Sequence, residues 1–224
     1  MKAPIAVALD APNLETTKKW AEAAAPSVEV LKIGLEGFLR DGEEAINVIK
    51  NTDCKLFLDL KLHDIPNTVK GACESVSRFA PDFLTVHASG GKAMVAAAAN
   101  ALPNTRITAV TILTSLSPED LKTVGFEKSA QELAVQMAVM AVDAGARAIV
   151  CSPHEVSAIR NSVPTSITLI TPGVRPAGAD VGDQSRVATP QEAIANGANI
   201  VVIGRPITGA DDVRKAAMEI TATL

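Results

Sequence analysis

The chain has 224 residues, of which 47% are hydrophobic and 3% aromatic, and its formal net charge is −4. This length suits one domain spanning residues 1–224 with little room for a second, and the apolar content suits strands covered on both faces. The acidic balance and the scarcity of rings for base stacking argue against nucleic-acid binding. No apolar run reaches the roughly 18 residues of a membrane span, and the opening stretch up to Asp10 is too short for a signal peptide, so no membrane partner and a cytoplasmic location are expected.

In chain order, short β-rich apolar runs at 5–10, 30–35, 55–60, 83–88, 108–113, 148–152, 168–173 and 200–204 read as strands. Between and after them, Ala-rich stretches at 14–25, 37–49, 66–79, 91–101, 129–144, 153–162, 190–196 and 211–223 carry apolar residues at three and four spacing and read as helices. Strict alternation implies parallel strands joined by right-handed crossovers, and eight such units predict an α/β fold closed into a single (β/α)8 TIM barrel. An open doubly wound sheet is the alternative, but its G-x-G-x-x-G fingerprint is absent from the first βα turn, A-L-D-A-P-N.

In a barrel, alternate residues of each strand point inward. On the first run Asp10 shares a face with Ala6 and Ala8; on the second Lys32 shares one with Val30 and Gly34, and small residues beside a charge leave room for a ligand. The third stretch, K-L-F-L-D-L-K-L-H-D-I-P-N-T, is the most informative. Leu56, Leu58, Leu60 and Leu62 form one apolar face, Asp59 and Lys61 share the other, and Pro66 suits the first turn of the next helix. Two carboxylates and two ammonium groups thus converge on the upper interior, where each charge needs a partner. Such a set either fixes barrel geometry or holds a lysine beside a carboxylate as a proton donor.

The connections 114–128 and 174–189 are longer than a small barrel needs, and both follow the carboxyl ends of strands, where barrels build their sites. The last strand runs into Gly204 and Arg205 just before a helix whose first amides would point at an anion, a pattern suited to phosphate, with Arg175 and Gln184 placed to close over the same group as a lid. His63, His87 and His154 read as packing residues. Lysines between Glu36, Asp59 and Asp64 already neutralise that acidic group, so no metal is expected. Cys54, Cys73 and Cys151 lack C-x-x-C spacing and read as buried thiols. No Ser-His-Asp elbow, P-loop or H-E-x-x-H occurs.

D-L-K-L-H-D-I-P-N-T, with A-L-D, K-I-G, L-T-S, T-P-G-V-R-P, D-Q and V-I-G-R-P-I-T in order along the chain, resembles the orotidine 5'-phosphate decarboxylase family over nearly its whole length. The resemblance implies a cofactor-free homodimeric barrel that converts orotidine 5'-monophosphate to UMP and CO2. It further implies Lys61 as proton donor to C6, Asp59 beside the departing CO2, and Lys32 and Asp10 completing the charged array and meeting ribose hydroxyls. Asp64, Ile65 and Thr68 would serve the neighbouring subunit's site, Asp64 as a member of the catalytic set. Thr114 and Ser115 would meet the pyrimidine edge, Pro172 would bind substrate, and Arg175, Gln184, Gly204 and Arg205 would hold the phosphate. The nearest rival is a sugar-phosphate enzyme of the same superfamily working through a Mg²⁺-bound enediolate.

Overall fold

The computed structural model describes residues 2–175 and 188–224. Eight parallel strands, β1 (Ala3–Ala8), β2 (Val28–Gly34), β3 (Lys55–Leu62), β4 (Phe83–His87), β5 (Arg106–Val110), β6 (Ala148–Val150), β7 (Thr168–Thr171) and β8 (Ile200–Ile203), pair in sequence order, and β8 closes on β1. The open-sheet alternative is thereby removed. Every strand except β3 stops before its apolar run ends, because the last residues of each run leave the ladder toward the mouth of the barrel. Thr111–Leu113, expected in the fifth strand, lie beyond Val110 in this way.

The helices follow the predicted order with instructive differences. The single helix expected at 37–49 is two, α2 (Leu35–Asp41) and α3 (Glu43–Lys50), broken at Gly42, whose φ of +56° suits glycine and interrupts a helix. After α1 (Leu14–Ala24), α4 (Pro66–Val76) starts at its proline as expected, and α5 spans Gly91–Ala101. The connection 114–128 contains an unpredicted helix, α6 (Pro118–Thr123), started by a capping box in which Ser117 and Asp120 satisfy each other's backbone amides. Then come α7 (Ala130–Asp143), α8 (Val156–Arg160), α9 (Pro190–Ala195), a one-turn α10 (Arg205–Thr208) directly after β8, and α11 (Val213–Thr221).

Two apolar layers hold the barrel. Leu56, Leu58 and Leu60 of β3, with Leu84 and Val86 of β4, pack outward against the helices. Burying a leucine there contributes about 1.5–3 kcal/mol. Inside, Phe57 and Phe83 meet with ring centroids 5.6 Å apart and, with Ala6, Val30, Ala148, Ile170 and Ile200, plug the barrel. The open space is therefore confined to the carboxyl ends of the strands. Cys73 and Cys151 are buried as expected, whereas Cys54 is half-buried, with Lys2 Nζ donating to its sulfur at 3.4 Å. That correction has a simple cause, since Cys54 lies in the turn before β3 rather than within a strand.

One irregularity positions the site. Between the pairs Leu58↔Leu84 and Leu62↔Val86, β3 advances four residues while β4 advances two. The excess is taken up in a bulge where Lys61 adopts a left-handed φ of +48°. For a long side chain this conformation is uncommon and persists only where surrounding contacts hold it.

Candidate active site

Lys32 of β2, Asp59 and Lys61 of β3, and Asp10, two residues past the end of β1, form a row of alternating charge. Lys32 Nζ stands 3.1 Å from Asp59 Oδ2 and 3.5 Å from Asp10 Oδ1, and Lys61 Nζ donates to Asp59 Oδ1 at 2.8 Å. Exposure graduates along the row: the side chains of Lys32 and Asp59 are 8% and 13% exposed, Lys61 29% and Asp10 50%. Burial alone would push the Asp59 carboxyl up, but the charges of Lys32 and Lys61 and their hydrogen bonds outweigh it and hold this carboxyl below its ordinary range. Burial likewise opposes charge on Lys32, yet Asp59 and Asp10 raise it above the usual lysine value. Asp59 is thus a fixed carboxylate between two ammonium groups.

Gly34 explains how the row fits. A β-carbon there would lie 2.8 Å from Asp10 Oδ1 and 3.0 Å from Lys32 Nζ, so the space a side chain would take is filled by this ion pair. The sequence reading reserved that space for a ligand; the charges themselves occupy it. Behind Asp59, the fully buried Thr85 of β4 donates from its hydroxyl to Asp59 Oδ1 at 3.0 Å and accepts the Lys61 amide at 2.8 Å. Thr85 did not emerge from the sequence. The alternate set Phe83, Thr85, His87 was legible, but a bulge of this size hides which β3 residue faces Thr85.

These groups open into a cavity of about 520 Å³ at the barrel mouth, floored by Phe57. Its wall includes Asp10, Lys32, Asp59, Lys61, Thr114, Pro172, Arg175, Gly204 and Arg205 from the sequence-derived set. Other members of that set lie elsewhere. Asp64, Ile65, Thr68 and Ser115 are exposed and do not line it, and Gln184 lies outside the described residues. Apolar Ile112, Leu113, Val150 and Val202, which the sequence reading did not single out, line it as well.

The phosphate end differs from expectation in detail. Pro206 has no amide to offer an anion, and the amides of Ile207 and Thr208 return to the Gly204 carbonyl at 2.8 and 3.0 Å. Pro206, Ile207 and Thr208 thus offer no amide to an anion, and Arg205 lines the cavity directly after β8. Of the histidines, expected to be packing residues, His63 and His154 are exposed and His87 is half-buried. His63 and His87 stack at the β3 and β4 ends, ring centroids 5.3 Å apart, and burial, then the nearness of His63 and Lys61, lowers the His87 pKa. Among the described residues no three His, Cys, Asp or Glu side chains converge as a metal site.

A buried carboxylate flanked by lysines of β2 and β3 thus shares its cavity with Arg205, which follows β8. The family model for "Orotidine 5'-phosphate decarboxylase / HUMPS family" fits residues 3–220. The chain belongs to this family. An orotidine 5'-phosphate decarboxylase of Thermobifida fusca is 56% identical over 225 residues, covering 100% of this chain and 97% of that relative. One from Frankia casuarinae is 47% identical over 241 residues, covering 100% and 88%. The crystal structure of the Lactobacillus acidophilus orotidine 5'-phosphate decarboxylase superposes with a TM-score of 0.86 at 33% identity, covering 99% of this chain and 98% of the other. That of an uncharacterized conserved protein from Geobacillus kaustophilus does so with a TM-score of 0.84 at 30% identity, covering 98% and 99%. No helix among the described residues is long and apolar enough to cross a membrane.

Proposed function

We propose that this chain is a carboxy-lyase that converts orotidine 5'-monophosphate to UMP and CO2 in pyrimidine biosynthesis, with its own side chains supplying the chemistry. The observation that carries this reading is the continuous row Asp10, Lys32, Asp59, Lys61 along one wall of a cavity whose rim holds Arg205. Loss of CO2 breaks the bond to C6 and leaves its electron pair there, with no adjacent carbonyl to accept it. A fixed cation must therefore meet the developing charge. Lys61 stands as that cation, and a proton passes from its Nζ to C6 to complete UMP; solvent then reprotonates the amine.

Asp59, kept ionised by its two lysines, holds Lys61 in place and lies beside the carboxylate that departs. Lys32 and Asp10 extend the array toward the ribose hydroxyls, Thr114 meets the pyrimidine edge, Pro172 lines the substrate cavity, and Arg175, Gln184, Gly204 and Arg205 hold the phosphate. Phosphate binding, remote from C6, can be spent on assembling the charged row.

The exposed Asp64, Ile65 and Thr68 fit a second copy. Ile65 is 67% exposed, and Leu39 on α2, at the end of the neighbouring strand, is 79% exposed, so this end presents apolar surface next to residues the chain's own cavity does not use. In the homodimer we infer, Asp64 and Thr68 complete the partner's site. Mixing Lys61→Ala and Asp64→Asn subunits should then restore activity that neither variant has, because one site per mixed dimer is intact.

The deciding experiment is direct. EDTA-treated protein mixed with orotidine 5'-monophosphate should show loss of the substrate's ultraviolet absorbance at an undiminished rate. Turnover only after Mg²⁺ is added would favour the enediolate branch instead, and no turnover under either condition would overturn both.

A further inference from the structure

We propose that Thr85 is a positioning residue for the decarboxylation: its one hydroxyl fixes both the Asp59 carboxylate and the backbone of Lys61. This rests on the decarboxylase reading above for its catalytic consequence, but the link itself is structural. In the β3 bulge the Lys61 amide donates to the Thr85 hydroxyl at 2.8 Å rather than to a ladder carbonyl. An amide only donates, so Thr85 Oγ1 must accept there. Its own proton is then free for Asp59 Oδ1, 3.0 Å away, and a carboxylate only accepts. The direction of every bond is thus set by chemistry alone.

The result is a closed ring. Lys61 N–H points to Thr85 Oγ1, Thr85 O–H points to Asp59 Oδ1, and that same oxygen accepts Lys61 Nζ at 2.8 Å. Two degrees of freedom disappear. The carboxylate cannot rotate, so Oδ1 stays with Lys61 while Oδ2 stays with Lys32 at 3.1 Å. The left-handed Lys61 backbone, at φ +48°, gains a partner for an amide that the bulge removes from the ladder. Thr85 is 0% exposed and does not line the cavity, so it acts through Asp59 and Lys61 and not on substrate. Its neighbours on the same inward face, Phe83 below and His87 above, do not supply this link, because phenylalanine has no polar group and His87 stacks on His63.

The test compares Thr85→Val, which keeps shape and removes the hydroxyl, with Thr85→Ser, which keeps the hydroxyl. Misplacing a reacting group by about 1 Å costs roughly 10²-fold, so Thr85→Val should lower kcat by about 10- to 100-fold. KM and the Kd for UMP should stay within about threefold, and Thr85→Ser should return kcat to within about threefold of the parent, since the groups that hold substrate are untouched. Amide exchange gives a readout independent of substrate: protection at Lys61 should be lost in the Val variant and kept in the Ser variant. If Thr85→Val proves insoluble, Thr85→Ala carries the same comparison. Unchanged kcat in the Val variant, a serine variant no better than valine, or a loss confined to UMP binding would each overturn the proposal. An inactive parent with the expected exchange pattern would instead sink the decarboxylase reading and leave the Thr85 link standing.

Discussion

The ends of β1 to β3 and the ends of β7 and β8 border the same cavity, yet they are built in different ways. On the first side, Lys32, Asp59 and Lys61 rise from the strands themselves and are locked to one another at 2.8–3.1 Å. On the second, Pro172, Arg175, Gly204 and Arg205 all follow the last ladder residue of their strand. The difference teaches where precision is needed. A bond-breaking centre tolerates little displacement, so its groups sit on the rigid sheet; a phosphate remote from that centre can be gripped by segments that adjust. If this division is right, lesions on the two sides should separate into turnover defects and binding defects.

The largest effect should follow from Lys61→Ala. It removes a general acid, worth about 10²-fold or more, and the counter-charge to the carbanion, worth about 10²-fold or more. Decarboxylation should fall by at least about 10⁴-fold while circular dichroism shows the barrel intact; near-parental turnover would refute the assignment of Lys61. Gly34→Ala tests the same side without touching a charge. Its backbone, at φ −89°, accepts alanine, so stability should hardly change, but the new methyl must push Asp10 and Lys32 aside. We expect kcat to fall on the order of 10²-fold, and an unaffected rate would show that this pair need not sit where it does.

On the opposite side, Arg205→Ala should raise KM by about 10- to 100-fold, the worth of a charged hydrogen bond to phosphate, and leave kcat much less altered. A fall in kcat with KM unchanged would erase the proposed division. Together with Gly34→Ala, this forms a reciprocal pair that steady-state kinetics can resolve.

Much of this was legible because period-2 alternation and charge survive translation into a barrel. Asp10, Lys32, Asp59 and Lys61 were inward residues by parity alone, and the structure brings them together. What parity cannot supply is register. The β3 bulge, which turns Lys61 left-handed and sets Thr85 against Asp59, depends on how two strands slip past one another, and no local propensity in K-L-F-L-D-L-K-L records it. Gly34 was noticed for the wrong reason, since a small residue shows that space is needed but not what fills it. The break at Gly42 and helix α6 were missed for local reasons. Glycine can sit inside a helical pattern, and Ser117 with Asp120 forms a cap too short-ranged to stand out in a long connection.

The smallest effect concerns stability against pH, and it asks whether the charged row also supports the fold. The Asp59 carboxyl is held below its ordinary value of 3.8 in the folded chain, so its contribution is present above that value and is lost as pH falls through the folded one. Lys32 runs the other way: raised above 10.5, it contributes fully below that value and loses its contribution as pH climbs through the folded one. Other carboxyls also titrate low. Asp120, Glu132 and Glu192 accept hydrogen bonds from Ser117, Ser129 and Thr189 at helix starts, but all three are exposed. Asp59→Asn removes the buried contribution and keeps the exposed ones, so its melting temperature should be lower at pH 7 and should decline less steeply than the parent's as pH drops below 3.8. Thermal melts across that range separate the buried source from the exposed ones: parallel curves would assign the acid sensitivity to carboxyls other than Asp59, the capping ones and the Glu15 and Asp53 ion pairs among them, and leave the charged row a role in catalysis alone.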